Sequence, residues 1–222
     1  MSYAEFSLVT WKGISIMLHI KTLPLGSYQT NCYLVWAEGA NTCAVIDPGD
    51  EAQRVLATVQ ALGLTVEAIL LTHGHFDHVG AVEELVSSTG CALWMHEADL
   101  RISKNATTNF LYPLLSSQLS HVHFCTEGDQ ISVDGLTFSV LHTPGHTPGC
   151  VCHCAEDAMF CGDTLFAGSC GRIDLPGGDR AVMAATLARL ASLKTDFRIF
   201  PGHGPSSTLT REQASNPYLL NS

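Results

Sequence analysis

Three histidines and one aspartate lie within the six residues His73-Gly74-His75-Phe76-Asp77-His78. In an extended chain, residues i and i+2 point to the same side, so His73 and His75 present two imidazoles to one point. Asp77 and His78 follow a bend at which a helix is expected to begin, and they face a second, neighbouring point. Imidazole and carboxylate ligands suit Zn²⁺, Fe or Mn²⁺. The segment therefore predicts a metal centre.

Three more residues of the same chemistry stand at predicted strand ends beside turn signals: His146 after Pro144-Gly145, Asp163 after Cys161-Gly162, and His203 after Pro201-Gly202. A chance cluster would lack such distant partners, so we expect all three at the same centre. His142 precedes a Pro-Gly turn, and a structural or ligand-supporting role is expected for it, with metal binding as the alternative. The other histidines have no comparable spacing, and surface or core roles are expected for His19, His96, His121, His123 and His153.

Short strands and helices in both halves of the chain must position these residues. Hydrophobic periodicity and turn signals predict strands at 14–20, 31–36, 43–46, 67–71, 91–95, 129–133, 136–141, 149–154, 158–161 and 198–200, and helices at 51–62, about 78–88 and 180–193. Residues 104–124 are expected to form a long excursion. Periodicity alone leaves two packed sheets and one doubly wound sheet as alternatives, of which two sheets with outer helices fit better.

Composition restricts the class of protein further. A chain of 222 residues with 46% hydrophobic and 14% charged residues is expected to form one globular domain rather than a disordered chain. A net charge of −10 argues against a nucleic-acid partner. No apolar run is long enough to span a membrane, no signal-peptide pattern is present, and the nine cysteines are expected to be free thiols. We therefore expect a cytoplasmic protein with no membrane partner.

With these motifs the chain resembles the metallo-β-lactamase superfamily from Asp47 to His203. The resemblance implies an α/β (α+β) domain, a four-layer αβ/βα sandwich of two mixed sheets packed face to face with helices outside, as a single domain over 1–222. It implies two divalent metal ions, with Zn²⁺ expected and Fe or Mn as alternatives. Asp47, in Ile46-Asp47-Pro48-Gly49, corresponds to the superfamily's supporting aspartate, which orients ligands without binding metal.

The same resemblance implies a ligand set. His73, His75 and His146 correspond to ligands of the first metal, Asp77, His78 and His203 to ligands of the second, and Asp163 to the carboxylate that bridges both.

Gly162-Asp163-Thr164-Leu165-Phe166 and the turn Cys170-Gly171-Arg172 are similar to the glyoxalase II group, and the end of the chain resembles its short, single-domain bacterial relatives. The resemblance implies hydrolysis of a small acyl-thioester of the S-2-hydroxyacylglutathione type by a metal-bridging hydroxide beside the catalytic Asp77. It places Arg172 against the thiol half of the substrate. The C-terminal helical domain of full-length glyoxalase II has no counterpart here, so most of its glutathione contacts have none either.

Other activities remain as alternatives. Persulfide dioxygenases resemble this chain in fold and use one Fe(II), held by the counterparts of His73, His146 and Asp163. The remaining alternatives are hydrolysis of another substrate (an ester, a lactone or a phosphodiester) and a binding role without catalysis. Residues 1–16 match no family segment and are expected to be an extension before a native start at Met17. The sequence leaves the oligomeric state open.

Overall fold

Two six-stranded mixed sheets form the centre of the structure, which is a computed structural model that describes residues 17–102 and 119–220. The first sheet contains β1 (Leu18–Leu25), β2 (Thr30–Ala37), β3 (Thr42–Ile46), β4 (Thr65–Leu70), β5 (Ala92–Met95) and β6 (Val122–Phe124), in that spatial order. Its strands β1 to β3 pair antiparallel and β3 to β6 pair parallel. The parallel strands end at the edge where the chain reaches His73.

The second sheet contains β7 (Gln130–Val133), β8 (Leu136–His142), β9 (Val151–Ala155), β10 (Ala158–Gly162), β13 (Arg198–Pro201) and β14 (Ser207–Thr208). Their spatial order is β14-β13-β10-β9-β8-β7, and only β10 and β13 pair parallel. A separate hairpin is formed by β11 (Leu165–Phe166) and β12 (Ser169–Cys170).

Helices cover the outer faces of both sheets. They are α1 (Ala52–Ala61), α2 (Phe76–Val79), α3 (Val82–Thr89), α4 (Glu97–Ile102), α5 (Arg180–Ser192), α6 (Leu209–Ser215) and α7 (Pro217–Leu220). No helix in the described part of the chain is both long and apolar enough to cross a bilayer.

Strand alternation explains the four layers. In β10, Phe160 faces the other sheet and packs in one cluster with Tyr33 of β2, whereas Met159 faces outward and packs with Leu187 of α5. On the outer face of the first sheet, Leu34 packs with α1 and α3. The central strands β2, β3, β9 and β10 are buried on both faces and are largely apolar, whereas the edge strands β1 and β7 are partly exposed. The predicted sandwich of two sheets with outer helices is therefore confirmed.

Some predicted elements differ from the observed ones. The helix expected at about 78–88 is two helices, α2 and α3, because the chain bends at Gly80 against the backbone of Gly49; a Cβ on Gly80 would lie 2.3 Å from the Gly49 carbonyl oxygen. The strand expected at 14–20 begins at Leu18. Residues 1–16 and most of the 104–124 excursion lie outside the described residues, although β6 falls within the excursion.

Candidate metal centre

Three imidazoles converge from the loops that follow β4 and β8. The Nε2 atom of His73 lies 3.1 Å from Nδ1 of His75, which lies 2.8 Å from Nε2 of His146. Ligand atoms about 2.0–2.1 Å from a tetrahedral zinc ion stand roughly 3.3 Å apart, so these separations suit one metal ion. His73 and His146 are buried, and His75 is partly exposed. The structure therefore brings the first predicted set together.

The second predicted set also meets, at the start of α2 and the end of β13. The Oδ2 atom of Asp77 lies 3.2 Å from Nε2 of His203 and 3.7 Å from Nε2 of His78. All three could offer one ligand atom each to a common point. His78 is fully buried, whereas Asp77 and His203 are partly exposed and face the opening of the centre.

Asp163 lies between the two sets. Its Oδ1 atom is 3.4 Å from Nε2 of His78, and its Oδ2 atom is 3.6 Å from Nε2 of His146 and 3.7 Å from Nε2 of His203. One carboxylate thus contacts both sets of side chains, which is the arrangement that a pair of metal ions about 3.5–4 Å apart requires.

The remaining ring nitrogens of three histidines donate hydrogen bonds away from the centre. Nδ1 of His146 donates to the main-chain carbonyl of Arg172 at 2.6 Å, and Nδ1 of His78 donates to Asp47 at 2.9 Å. Nδ1 of His73 donates to the Thr72 hydroxyl at 3.1 Å, and this hydroxyl donates to Asp47 at 2.6 Å. Since each Nδ1 carries the proton, each Nε2 presents a lone pair to the centre, as a metal ligand must.

Asp47 takes part through hydrogen bonds rather than at the converging atoms. Its backbone is in the left-handed region (φ 49°), and its carboxylate also accepts the Thr72 amide at 2.8 Å. The carboxylate thus holds His78 of the second set directly and His73 of the first set through the Thr72 hydroxyl. This is the placement that the sequence predicted for an orienting aspartate.

The protonation states and unsatisfied atoms fit a cation. Burial, followed by the neighbouring His146, lowers the pKa of His75 to about 4, and burial holds the pKa of His73 well below its usual range. Metal binding requires such neutral imidazoles. Nε2 of His78 and Oδ1 of Asp163 are buried without a hydrogen-bond partner among the described residues, whereas buried polar atoms ordinarily have one. A metal ion between them would satisfy both atoms.

Burial alone would raise the pKa of Asp163, but the charges of His78, His146 and His203 hold it below its usual range. Burial would likewise lower the pKa of His78, but the carboxylates of Asp163 and Asp47 raise it. The two carboxylates therefore favour positive charge at this position, which a proton on His78 supplies until a metal cation displaces it.

Sequence analysis missed Asp99. This buried residue of α4 accepts hydrogen bonds on Oδ2 from the Gly74 amide and the Thr147 hydroxyl, both at 2.8 Å, and on Oδ1 from the Gly149 amide at 2.6 Å. The available signal was its position, four residues beyond the end of the half-buried strand β5, at the edge where the predicted ligands stand. The role of the Arg172 carbonyl had no sequence signal, since every residue has a carbonyl.

The Arg172 side chain points into solvent. Its side chain is 62% exposed and makes two hydrogen bonds of 2.7 Å to Asp174. The hydrogen bonds from Arg172 lower the pKa of Asp174 to about 2. The loop is nevertheless beside the centre, because the Arg172 carbonyl holds His146.

A small cavity opens on the opposite, Asp77 side of the centre. It has a volume of about 120 Å³ and is lined by Thr30, Asp77 and two aromatic rings, Tyr28 and Phe76, which meet edge to face at 5.1 Å. The hydroxyl of Thr30 donates to Asp77 at 3.3 Å. The cavity therefore offers an apolar wall next to the Asp77 carboxylate of the second predicted set.

The histidines that were expected to be structural lie outside both sets. His142 stacks on His96 with ring centroids 4.4 Å apart and donates to the Pro148 carbonyl at 2.9 Å. His153 is buried and donates to the Leu71 carbonyl at 3.0 Å.

The family model of the metallo-β-lactamase superfamily matches residues 25–203, a range that contains every residue of the centre. The chain belongs to the metallo-β-lactamase superfamily. Proteins of this fold bind divalent metal ions, and most are hydrolases.

Relatives within the superfamily cover nearly the whole chain. The hydroxyacylglutathione hydrolase GloC of Haemophilus influenzae is 36% identical over 209 residues, which are 91% of this chain and 98% of that protein. The crystal structure of TTHA1623 in a di-iron-bound form is 40% identical, with a TM-score of 0.74 over 89% of this chain and 99% of that one. The crystal structure of BLEG-1 B3 metallo-β-lactamase is 33% identical, with a TM-score of 0.78 over 90% and 99%.

Proposed function

We propose that this protein is a metal-dependent hydrolase of small acyl-thioesters of the S-2-hydroxyacylglutathione type. The observation that carries the proposal is the position of Asp163, whose carboxylate joins two groups of three ligand-type side chains. The similarity to a hydroxyacylglutathione hydrolase over nearly the full length of both chains supports the substrate class. A cytoplasmic location is part of the proposal, since the nine free cysteines are typical of a reducing compartment.

Two divalent ions would be held by seven side chains. The three-histidine position comprises His73, His75 and His146; the second position comprises Asp77, His78 and His203; and Asp163 would bridge them. When bound, such ions lower the pKa of a coordinated water to about 7 and stabilise negative charge on a carbonyl oxygen. Zinc suits the nitrogen-rich set, and the di-iron form of TTHA1623 supports iron as the alternative.

The chain's own residues bind and orient the reactants. Asp77 would orient the attacking water by accepting a hydrogen bond from it, because the Asp77 carboxylate lines the cavity that opens beside the centre. Burial would raise the pKa of Asp77, but the hydrogen bond from His203 and the charge of His78 hold it well below its usual range, so the carboxylate is an acceptor. A thiol leaving group has a pKa near 8.5 and leaves without a strong general acid.

The two sides of the centre suit the two halves of a thioester. An engineered cavity of about 150 Å³ holds benzene, so the cavity of about 120 Å³ beside Tyr28 and Phe76 suits an acyl group of a few heavy atoms. On the His146 side, Arg172 would contact an anionic thiol carrier. An exposed ion pair is weak, so a substrate carboxylate could replace Asp174 as the partner of this guanidinium.

The test is a substrate panel on the purified protein, loaded with Zn²⁺ or Fe²⁺. The panel comprises an S-2-hydroxyacylglutathione, a β-lactam, a lactone and a phosphodiester, together with oxygen consumption on a persulfide. We expect turnover of the thioester that a chelator abolishes and added metal restores, with Asp163→Asn as the inactive control. Turnover of another substrate with none of the thioester, in both metal-loaded forms, would overturn the proposal.

The β-lactam is in the panel for a specific reason, since the BLEG-1 B3 metallo-β-lactamase is similar over nearly all of both chains.

A further inference from the structure

Asp99 is a buried carboxylate that belongs to neither ligand group. It lies in the first turn of α4, is 2% exposed, and accepts three hydrogen bonds of 2.6–2.8 Å. A buried charge is costly unless hydrogen bonds compensate for its lost hydration, and short hydrogen bonds to a charged acceptor are the strongest of their kind. The three donors therefore hold this carboxylate in one place.

The donors come from the two loops that carry the three histidines. Gly74 lies between His73 and His75, after β4 of the first sheet. Thr147 follows His146, and Gly149 lies two residues further on, in the loop between β8 and β9 of the second sheet. The hydrogen bonds of Asp99 thus connect two loops that follow strands of different sheets.

The contact with the second loop is tight. A Cβ on Gly149 would lie 2.4 Å from Oδ1 of Asp99, so only glycine permits this approach. The Thr147 hydroxyl has one proton and donates it to Asp99, so the Cys150 thiol, 3.0 Å away, donates to the Thr147 oxygen. The direction of each hydrogen bond around the carboxylate is therefore set.

We propose that Asp99 is a positioning residue that holds the loop of His73 and His75 at a set separation from the loop of His146, so that three imidazole nitrogens converge on one metal ion. This inference rests on the metal centre of the proposed function. The second position does not depend on Asp99 in this way, since His78 donates to Asp47 and the three donors to Asp99 (Gly74, Thr147 and Gly149) are not residues of that group. Loss of the Asp99 carboxylate should therefore weaken the three-histidine position selectively.

The test is a Zn²⁺ titration of the metal-free wild type, of Asp99→Asn and of a matched control, Glu212→Gln. The side chain of asparagine keeps the shape but turns an N–H towards one of the three donors. Glu212 is equally buried in α6 and accepts hydrogen bonds from the Gly168 amide at 2.7 Å, from Asn216 at 2.9 Å and from Ser207. The control therefore loses a comparable buried carboxylate that contacts neither histidine loop.

We expect Asp99→Asn to weaken the binding of one zinc ion about 10-fold or more and to leave the other within about 2-fold, while Glu212→Gln changes neither. Equal weakening of both ions, or wild-type affinity for both, would overturn the inference. A wild type that takes up no zinc would instead refute the metal centre itself, which separates the two failures.

A second pair of variants tests the inference in case the Asp99→Asn protein does not fold. Thr147→Val removes one of the three donors with little change of shape, and Thr147→Ser keeps the hydroxyl. Selective loss of one zinc ion in Thr147→Val with wild-type binding in Thr147→Ser supports the inference. Wild-type binding in Thr147→Val contradicts it.

Discussion

The Nδ1–H group of His78 donates a hydrogen bond of 2.9 Å to Oδ2 of Asp47, and neither side chain is more than 2% exposed. The same carboxylate oxygen accepts from the hydroxyl of Thr72, which in turn accepts from Nδ1 of His73. One carboxylate thus orients a histidine of each ligand group, and it does so from outside both groups.

Replacement of Asp47 should therefore weaken both metal positions. Asp47→Ala removes the acceptor of His78 and Thr72, and partners of this kind typically contribute 10–100-fold to metal affinity. We expect a loss of about this size for both zinc ions, measured by competition with a chelator. Asp129→Ala is the control, because that exposed carboxylate accepts the Thr126 amide within its own turn. Wild-type zinc affinity in Asp47→Ala would contradict the orienting role.

Asp163 should be the most damaging ligand to lose. Its two oxygens contact side chains of both groups, so Asp163→Ala is expected to lose both metal ions and nearly all activity. His203→Ala removes one nitrogen from the second group only, and should retain the ion held by the three histidines. Elemental analysis of the purified variants gives the number of metal ions per chain, and a turnover assay gives the activity. Two ions per chain with near-native turnover in Asp163→Ala would show that it is not the bridge.

Replacement of Arg172 tests whether this side chain binds the thiol half of the thioester substrate. Arg172→Ala keeps the main-chain carbonyl that holds His146, so metal content should not change. We expect KM for a glutathione thioester to rise about 10-fold or more, with kcat affected less, since hydrogen bonds from a guanidinium to an anion are strong and would act equally in ground and transition states.

The ion pair of Arg172 with Asp174 offers a second variant that should change KM in the opposite direction. Asp174→Ala removes the carboxylate that competes for the guanidinium, so KM for the same thioester should fall. An unchanged KM in both variants would make Arg172 an ordinary loop residue.

The cysteines should be unreactive in the folded protein. Eight of the nine are buried, and burial raises the pKa of Cys43, Cys125 and Cys152 to about 12, so almost no thiolate is present at neutral pH. We expect a thiol reagent to label at most one residue rapidly, the partly exposed Cys170, and all nine after unfolding. Rapid labelling of several thiols in the native protein would contradict the burial of these eight side chains.

The spacing of residues along the sequence was sufficient to predict which side chains meet at this centre. His73 and His75 converge because they are two residues apart where an extended strand ends, and His146, Asp163 and His203 join them because each follows a strand that reaches the same edge. Strand alternation and turn residues act over a few residues, so the sequence by itself determined most of the strands, the long helices and the meeting of the predicted ligands at one edge.

The supporting contacts were decided only by the tertiary structure. Asp99 reaches Gly74, Thr147 and Gly149 across 25, 48 and 50 residues of chain, and the hydrogen bond from His146 to the Arg172 carbonyl spans 26. The short elements α6, α7 and β14 likewise form by packing against the second sheet and α5. A single carboxylate or main-chain carbonyl produces no periodic pattern in the sequence. Its hydrogen-bond partners depend on how the two sheets pack and not on the neighbouring residues in the chain.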